Sequence, residues 1–518
     1  MNFDKNYFHV EGQNYPYGVS VSLAGSQPIF SNGIKWVSEN IIDISKYAVG
    51  IMNLAILFML IPTALLLFLI LCRFKLPPWY SLLVSLGIAF CSPQIHRWMI
   101  GHYGLSYTIV IPLTWYLLLR FYEKPSYLLS GLIMLNATIW GFVQMYYVLV
   151  LSVFVFLFWG VAYFKDRKRW KFSSLCPHVI VQIFFPLFIT AFFMLFGASF
   201  AGQVSPGNVY RTHLEGVLLP YRTPFIKIFE MFIDIRNLNH EDLNYIGIVG
   251  VFIFFFCVIR IIRFIKAKNF HRVCRLTRNT SLMISLLAAF IALVLAMADP
   301  FRYFPLVEHF RSLGRLVWPF FYVFTVFSFY SIYLMFRYLK IRGFLSWART
   351  LLIVSLCFLF LEAAILNKNV SSEVSNKRLE LHDETFSLPL TQWMRHVDVD
   401  RYQAIIPLPY FFDLAGRFST GRTKYVAFIL SMKTGLPLTA ANISRYFQQD
   451  WDKQREFFDP KIKKKRIVED YPNQKPFLIL ATHDELRPEE EALLRKAIPL
   501  FKNEEIRVFE LPFERISG

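Results

Sequence analysis

The chain has 518 residues, of which 55% are hydrophobic, 18% aromatic and only 18% charged, and its formal charge is +19 at pH 7. That balance is too apolar for a water-soluble globular protein of ordinary make-up and points to lipid as the solvent. The positive charge does not indicate nucleic acid, because Lys and Arg fall in short runs between apolar segments, as they do in the cytoplasmic loops of membrane proteins.

Residues 1–45 are polar and aromatic, and the stretch Glu11 to Gly18 (EGQNYPYG) carries the Asn, Pro and Gly of a tight turn. A membrane span needs about 20 predominantly apolar residues, and runs of that kind predict about ten spans in an α-helical polytopic membrane protein. They lie near 48–72, 78–94, 105–120, 127–142, 144–163, 178–199, 246–264, 281–298, 317–337 and 349–366, the second to fifth being interrupted by Pro93, Gly101, Gly104 and Gly141. Basic residues gather in alternate gaps: Arg73 and Lys75, Arg120 and Lys124, Lys165 to Lys171, Arg260 to Arg278, and Arg337 to Arg349. The positive-inside rule makes that side cytoplasmic and puts loops 94–104, 200–245 and 299–316, with both chain ends, on the other. Residues 1–45 are then outside with no apolar segment ahead of them. Two readings follow: a first helix is missing upstream of Met1, or a short tail crosses unaided.

Polar residues inside the spans, such as Asn53, Asn136, Gln144 and Gln182, are expected to hydrogen-bond neighbouring helices. The six cysteines (Cys72, Cys91, Cys176, Cys257, Cys274, Cys357) lie in or beside apolar segments without a CxxC pair, which indicates neither a zinc site nor a disulfide framework.

After about Leu366 the composition turns to ordinary polarity. This divides the chain into a multi-helix membrane domain with an N-terminal outer loop (1–366) and an extracytoplasmic α/β domain (367–518). In the latter, Ala404 to Pro409, Phe477 to Ala481 and Ile506 to Leu511 read as strands. Between the last two, a helix is expected to start within Thr482 to Pro488 with Asp484 as its cap, acidic at Glu489 to Glu491 and basic at Arg495 and Lys496. A strand, helix, strand unit implies a right-handed crossover. The pairs His382–Asp383 and His483–Asp484 read as ordinary loop chemistry.

Candidate chemistry lies in the outer loops, where lipid headgroups would be met. In Pro300 to Phe320, Arg302, Arg311 and Arg315 offer fixed charge and bidentate donors for phosphate among interfacial aromatic residues. The competing reading pairs them with Asp299 and Glu308 or with ordinary phospholipid. Loop 94–104 adds His96, Arg97 and His102, suited to holding a proton or helping to bind a pyrophosphate. Loop 200–245 carries His213, Glu215, Arg222, Glu230, Asp234, His240, Glu241 and Asp242, whose spacing selects no pair. Asp4 and Glu11 precede the EGQNYPYG turn and could act as a base only if folded back toward the membrane.

Through NYPYG followed by SQPIF (Ser26 to Phe30), GHYG (Gly101 to Gly104), FRSLGR (Phe310 to Arg315), IIPLPYF (Ile405 to Phe411) and SMKTGLPL (Ser431 to Leu438), the chain resembles the GT-C class of many-helix membrane glycosyltransferases. Within that class it is similar to bacterial members with a C-terminal outer domain. The resemblance implies transfer of a sugar from a polyprenyl-phosphate donor to an acceptor at the outer face of a bacterial inner membrane, with inversion and with a carboxylate base in the first outer loop. Asp4 is the residue matched to that base, with Arg302, Arg311, Arg315 and His102 on the donor phosphate. The expected partners are membrane lipid and the lipid-linked sugar, not nucleic acid. No cofactor is indicated, and a divalent-metal requirement is left open. Members of the class begin with a helix before that loop and carry acidic residues where this chain has Val19 and Gly25. A non-catalytic lipid-binding or envelope-assembly protein is therefore the second reading. A transporter or flippase ranks third, since the spans are mostly clean of charge and show no convincing repeat.

Overall fold

The computed structural model describes residues 9–20, 27–197, 210–232, 238–267, 277, 279–298, 312–375, 389–411, 421–441, 448–459, 461–462 and 464–516. The chain divides into two compact units, one of Gln27–Phe192 and Gly207–Asn376, the other of Met1–Ser26, Phe193–Pro206 and Lys377–Gly518.

The first unit is helical. Among the described residues eight helices are long and apolar enough to cross a membrane, as in a multi-pass membrane protein: Ser45–Arg73, Tyr103–Glu123, Tyr146–Lys165, Phe172–Phe192, Gly247–Lys266, Thr280–Ala298, Leu313–Ile341 and Leu345–Ser375. Two of the ten expected spans fall short. Residues 78–94 form a 13-residue helix, Pro78–Phe90, which at 1.5 Å per residue is roughly 20 Å long against a hydrocarbon core of about 30 Å. The expected 127–142 span is the 17-residue helix Tyr127–Val143, started by the Ser126 hydroxyl accepting from Leu129 N at 3.2 Å. Two other elements outrun their apolar runs. The helix expected from 178 begins at Phe172, and the last one continues past 366 to Ser375, because helical hydrogen bonding does not stop where apolarity does.

Within helix Leu313–Ile341 the stretch from Trp318 to Tyr330 carries no charge and each of its residues is buried, so this element forms the middle of the unit. The polar residues within the spans are used between elements. Asn136 donates to Thr114 Oγ1 at 2.8 Å, Gln182 accepts from Trp159 Nε1 at 2.7 Å and donates to Ser130 Oγ at 3.0 Å, and Asn53 accepts from Trp98 Nε1 at 3.3 Å. At one end, Arg73 pairs with Glu123, Arg169 Nη2 donates to the carbonyls of Tyr122 (2.6 Å) and Glu123 (2.9 Å), and Tyr122 bonds Asp166 at 3.1 Å. Three of the basic clusters read from sequence thus share one end of the bundle.

The second unit is built on a four-stranded sheet. Its strands follow an N-terminal pair, β1 (His9–Val10) antiparallel to β2 (Val19–Ser20), and are β3 (Ile405–Leu408), β4 (Phe477–Thr482), β5 (Ile498–Lys502) and β6 (Ile506–Leu511), in the spatial order β3-β4-β6-β5. β3 and β4 are parallel, Ile405 opposite Leu478 and Leu408 opposite Ala481. Every position of both is buried, as expected of parallel strands covered on both faces.

The expected right-handed crossover between the last two predicted strands is not formed. β4 and β6 run antiparallel, because the helix Pro488–Arg495 leads first into β5, which turns back on β6. β5 was not legible as a strand: it is a mostly exposed edge strand containing Pro499 and a bulge, so it shows no apolar alternation. Asp484 is not the helix cap either. The cap is Arg487, with Glu490 returning to Arg487 N at 2.9 Å, while Asp484 accepts from the Thr482 (2.8 Å) and Thr423 (3.0 Å) hydroxyls.

The N-terminal residues, grouped by sequence with the membrane helices, belong to this second unit. The expected turn forms with Asn14 in the left-handed region and its Nδ2 on Gly18 O at 2.8 Å. It docks through Tyr15 N on Leu438 O (3.0 Å) and Leu438 N on Gly12 O (3.0 Å), while Ile405 N donates to Pro437 O at 2.8 Å. The His483 ring bonds Asn503 O at 2.9 Å, a loop contact, and His382 and Asp383 lie outside the described residues.

Candidate functional site

Three segments of the helical unit are laced together at one end. Gly314 N donates to Tyr210 O (3.1 Å), Thr212 Oγ1 to Glu241 O and Gly314 O (3.3 Å each), and Asn244 Nδ2 to Glu241 O (2.7 Å). Two glycines permit this approach. A Cβ on Gly216 would stand 2.1 Å from Asp242 O, and one on Gly314 would stand 2.9 Å from Glu241 O.

The lacing carries Glu241 into the protein, where it meets two guanidiniums from other elements. Arg97 Nη2 donates to Oε2 at 2.8 Å, and Arg315 Nη2 donates to Oε1 at 2.7 Å with its Nε 3.2 Å from both oxygens. All three side chains are at least nine-tenths buried. Arg315 also lies 3.9 Å over the Tyr146 ring, and Arg97 lies 5.7 Å over that of Trp318. The three residues come from the 94–104, 200–245 and 299–316 loops, which the distribution of basic residues assigns to one side.

One carboxylate does not saturate this cluster. Arg97 Nη1, Arg315 Nη1, Arg222 Nη1 and His96 Nδ1 are buried and have no hydrogen-bond partner among the described residues. His96 and Arg222 line a cavity of about 20 Å³ with Cys91, Gly216, Tyr221 and Tyr245, room for a water molecule. Burial and the neighbouring Arg97 weaken the hold of Arg222 on its proton, although a guanidinium remains charged at neutral pH. The site is thus a buried, cation-rich group with unused donors, which is the chemistry of an anion receptor.

Of the residues proposed from sequence, Arg315 and His102 are brought to this cluster, while Asp4, Arg302 and Arg311 lie outside the described residues, as do Asp234, Asp299 and Glu308. From the eight candidates of loop 200–245 the fold selects Glu241 for the arginines and Asp242 for His213, whose Nδ1 donates to Asp242 Oδ1 at 2.8 Å. Glu362 had no place in the sequence reading. It is 2% exposed within helix Leu345–Ser375 and accepts from Ile248 N at 3.1 and 3.2 Å, capping helix Gly247–Lys266. The signal was there, since a carboxylate inside a long apolar helix marks an internal polar contact.

The cluster sets its own proton affinities. Burial pushes the Glu241 carboxyl up, but Arg315 and Arg97 outweigh it and hold the group at about 2. Desolvation, then the charges of Arg315 and Arg97, lower the His102 imidazole to about 4, and desolvation with Arg222 and Arg97 lowers His96 well below 6.5. All three bind protons less readily when folded, so the unfolded chain takes up more protons on acidification. The contribution of these three groups to stability is therefore fully present above about pH 6.5, falls first through the histidines and then, below about pH 4.5, through Glu241, whose share is lost by about pH 2. The Glu241 share is on the order of 3 kcal/mol. Thermal unfolding of the detergent-solubilised protein between pH 7 and 3 should show this decline, and Glu241→Gln should remove its lower part.

A family model described as a domain of unknown function (DUF6311) matches residues 3–361, well over half of the chain and inclusive of Arg97, Glu241 and Arg315. No curated protein matches the chain.

Proposed function

We propose that this chain, which belongs to the DUF6311 family, receives the phosphate of a polyprenyl-phosphate-linked sugar in its buried arginine cluster and transfers the sugar to an acceptor at the outer face of a bacterial inner membrane. The observation that carries this reading is the set of unused buried donors on Arg97, Arg222 and Arg315 around a single bound carboxylate, with the unpartnered Nδ1 of His96 beside them. The phosphodiester of the donor would satisfy several of them, and the polyprenyl phosphate monoester left after transfer, with its second charge, would satisfy more. The setting agrees, because the cluster joins loops from the side opposite the basic gaps, which is where the extracytoplasmic end and the C-terminal α/β domain are placed in this proposal. His102, beside the cluster, and Arg302 and Arg311, upstream of Arg315, are assigned to the same phosphate. The overall plan, apolar helices followed by a C-terminal unit with a four-stranded sheet, supports the GT-C-like reading.

One observation favours the second reading, a non-catalytic lipid-binding protein. Glu241, paired with Arg97 and Arg315 and held at about 2, is a poor proton acceptor, so the cluster's own carboxylate supplies no base for a transfer.

Arg222 offers the gentlest test, as it makes no ion pair with Glu241. Nanodiscs containing the protein and graded amounts of polyprenyl phosphate should show saturable thermal stabilisation that neutral polyprenol does not give. Arg222→Gln should weaken the apparent affinity about tenfold, the loss expected for one charge-assisted hydrogen bond. Equal stabilisation by polyprenol, or an unchanged affinity in the variant, would remove the basis for the proposal.

A further inference from the structure

Transfer of a sugar to a hydroxyl needs a group to take the hydroxyl proton, and the arginine-bound Glu241 is unsuited to it. The adjacent residue supplies an alternative arrangement. Asp242 is 1% exposed and is fixed by His213 N and Asn239 N, each donating at 3.1 Å. Thus immobilised, it accepts the Nδ1 proton of His213 at 2.8 Å. A carboxylate in that position fixes the tautomer and leaves the Nε2 lone pair as the proton acceptor. The His213 side chain is 53% exposed, so the outer edge of its ring can be reached by an acceptor from water. Both members of the pair sit beside the cluster in chain and in space: His213 follows Thr212, Asp242 follows Glu241, and Thr212 Oγ1 bonds Glu241 O at 3.3 Å.

We propose that His213, oriented by Asp242, is the general base of this protein, a role the GT-C resemblance would give to a carboxylate in the first outer loop. The inference rests on the transfer reading above. The acceptor oxygen forms a bond to the anomeric carbon of the donor as the bond from that carbon to the phosphate oxygen breaks. The bonding pair leaves with polyprenyl phosphate, whose new charge faces the arginines. The hydroxyl proton passes to His213 Nε2, and the resulting imidazolium is stabilised by Asp242. Asp242 is a positioning residue, since it touches only the imidazole.

The experiment uses the full chain in nanodiscs with a radiolabelled polyprenyl phosphoryl hexose, counting both glycoside formed and hexose released to water, and with polyprenyl phosphate binding measured on the same samples. His213→Ala should lower turnover by 100-fold or more with binding unchanged, and added imidazole should restore part of it. His213→Asn keeps a donor where Nδ1 stood and so preserves the Asp242 bond, but it has no Nε2 and should be equally inactive. Asp242→Asn should slow carbethoxylation of His213 by diethylpyrocarbonate, a change in nucleophilicity that a merely structural role would not produce. Native-like turnover in His213→Asn, or no response to imidazole, overturns the assignment and leaves the transfer reading standing. No turnover by the native chain despite binding overturns both.

Discussion

Glu241→Gln costs the protein about 3–5 kcal/mol of stability, the penalty for removing one partner of a buried ion pair, and a fall of that size is readable as a lower unfolding temperature in detergent. The magnitude follows from what is left behind. Arg97 and Arg315 are 2% and 7% exposed at the side chain, and their Nη1 atoms already lack partners, so no second acceptor stands ready to take the released Nη2 groups. Glutamine offers one oxygen and no charge. If the cluster is a phosphate receptor, the same substitution moves binding the other way: the resident carboxylate no longer competes, and polyprenyl phosphate should bind about tenfold more tightly, restoring much of the lost stability when added. A variant that is destabilised and gains nothing from polyprenyl phosphate would mark the cluster as purely structural. Replacing all three residues by apolar ones of similar volume should be milder than Glu241→Gln, because no buried charge is then left unpaired.

Gly216→Ala is the second large effect. The new Cβ would be 2.1 Å from Asp242 O and 2.8 Å from Asp242 C, and these are backbone atoms that no rotamer change can move aside. Segments 214–218 and 239–246 would have to part, straining the Asn244 N to Gly216 O and Ile246 N to Val217 O bonds, both 3.1 Å. The expected cost is at or above the 1–3 kcal/mol of ordinary overpacking. Because this junction seats both Glu241 and Asp242, polyprenyl phosphate stabilisation should fall together with the unfolding temperature. Gly131→Ala is the control. It adds a methyl to helix Tyr127–Val143 with nothing within 4 Å, and should be neutral or stabilising by up to about 1 kcal/mol. Equal behaviour of the two variants would show that the close approach at Gly216 is not required.

The resemblance motifs divide in two when seen in the fold. In FRSLGR, Gly314 permits the approach of Glu241 and Arg315 binds it, so that motif builds the cluster. NYPYG, IIPLPYF and SMKTGLPL instead meet one another in the sheet unit, through Tyr15 with Leu438 and Ile405 with Pro437. Their use is packing, and a substitution there tests the fold of that unit rather than chemistry.

Amino-acid order alone determined the membrane character, most of the spans, the placing of basic residues in alternate gaps, three of the four strands of the sheet and the helix after β4. These are local or compositional properties: an apolar run of sufficient length, a cluster of Lys and Arg, or a buried β-branched run between turn residues declares itself wherever the rest of the chain goes. Tertiary structure decided which of eight polar residues in loop 200–245 matter, that Arg315 finds Glu241, 74 positions away, and that His213 finds Asp242, 29 positions away. It also decided that the N-terminal strand pair belongs to the same compact unit as the C-terminal sheet, and that β4 and β6 are antiparallel. Such pairings depend on how separate segments are brought together by the burial of the aromatic helix Leu313–Ile341 and by glycines that let two backbones touch, and neither is a property of any stretch of sequence taken by itself.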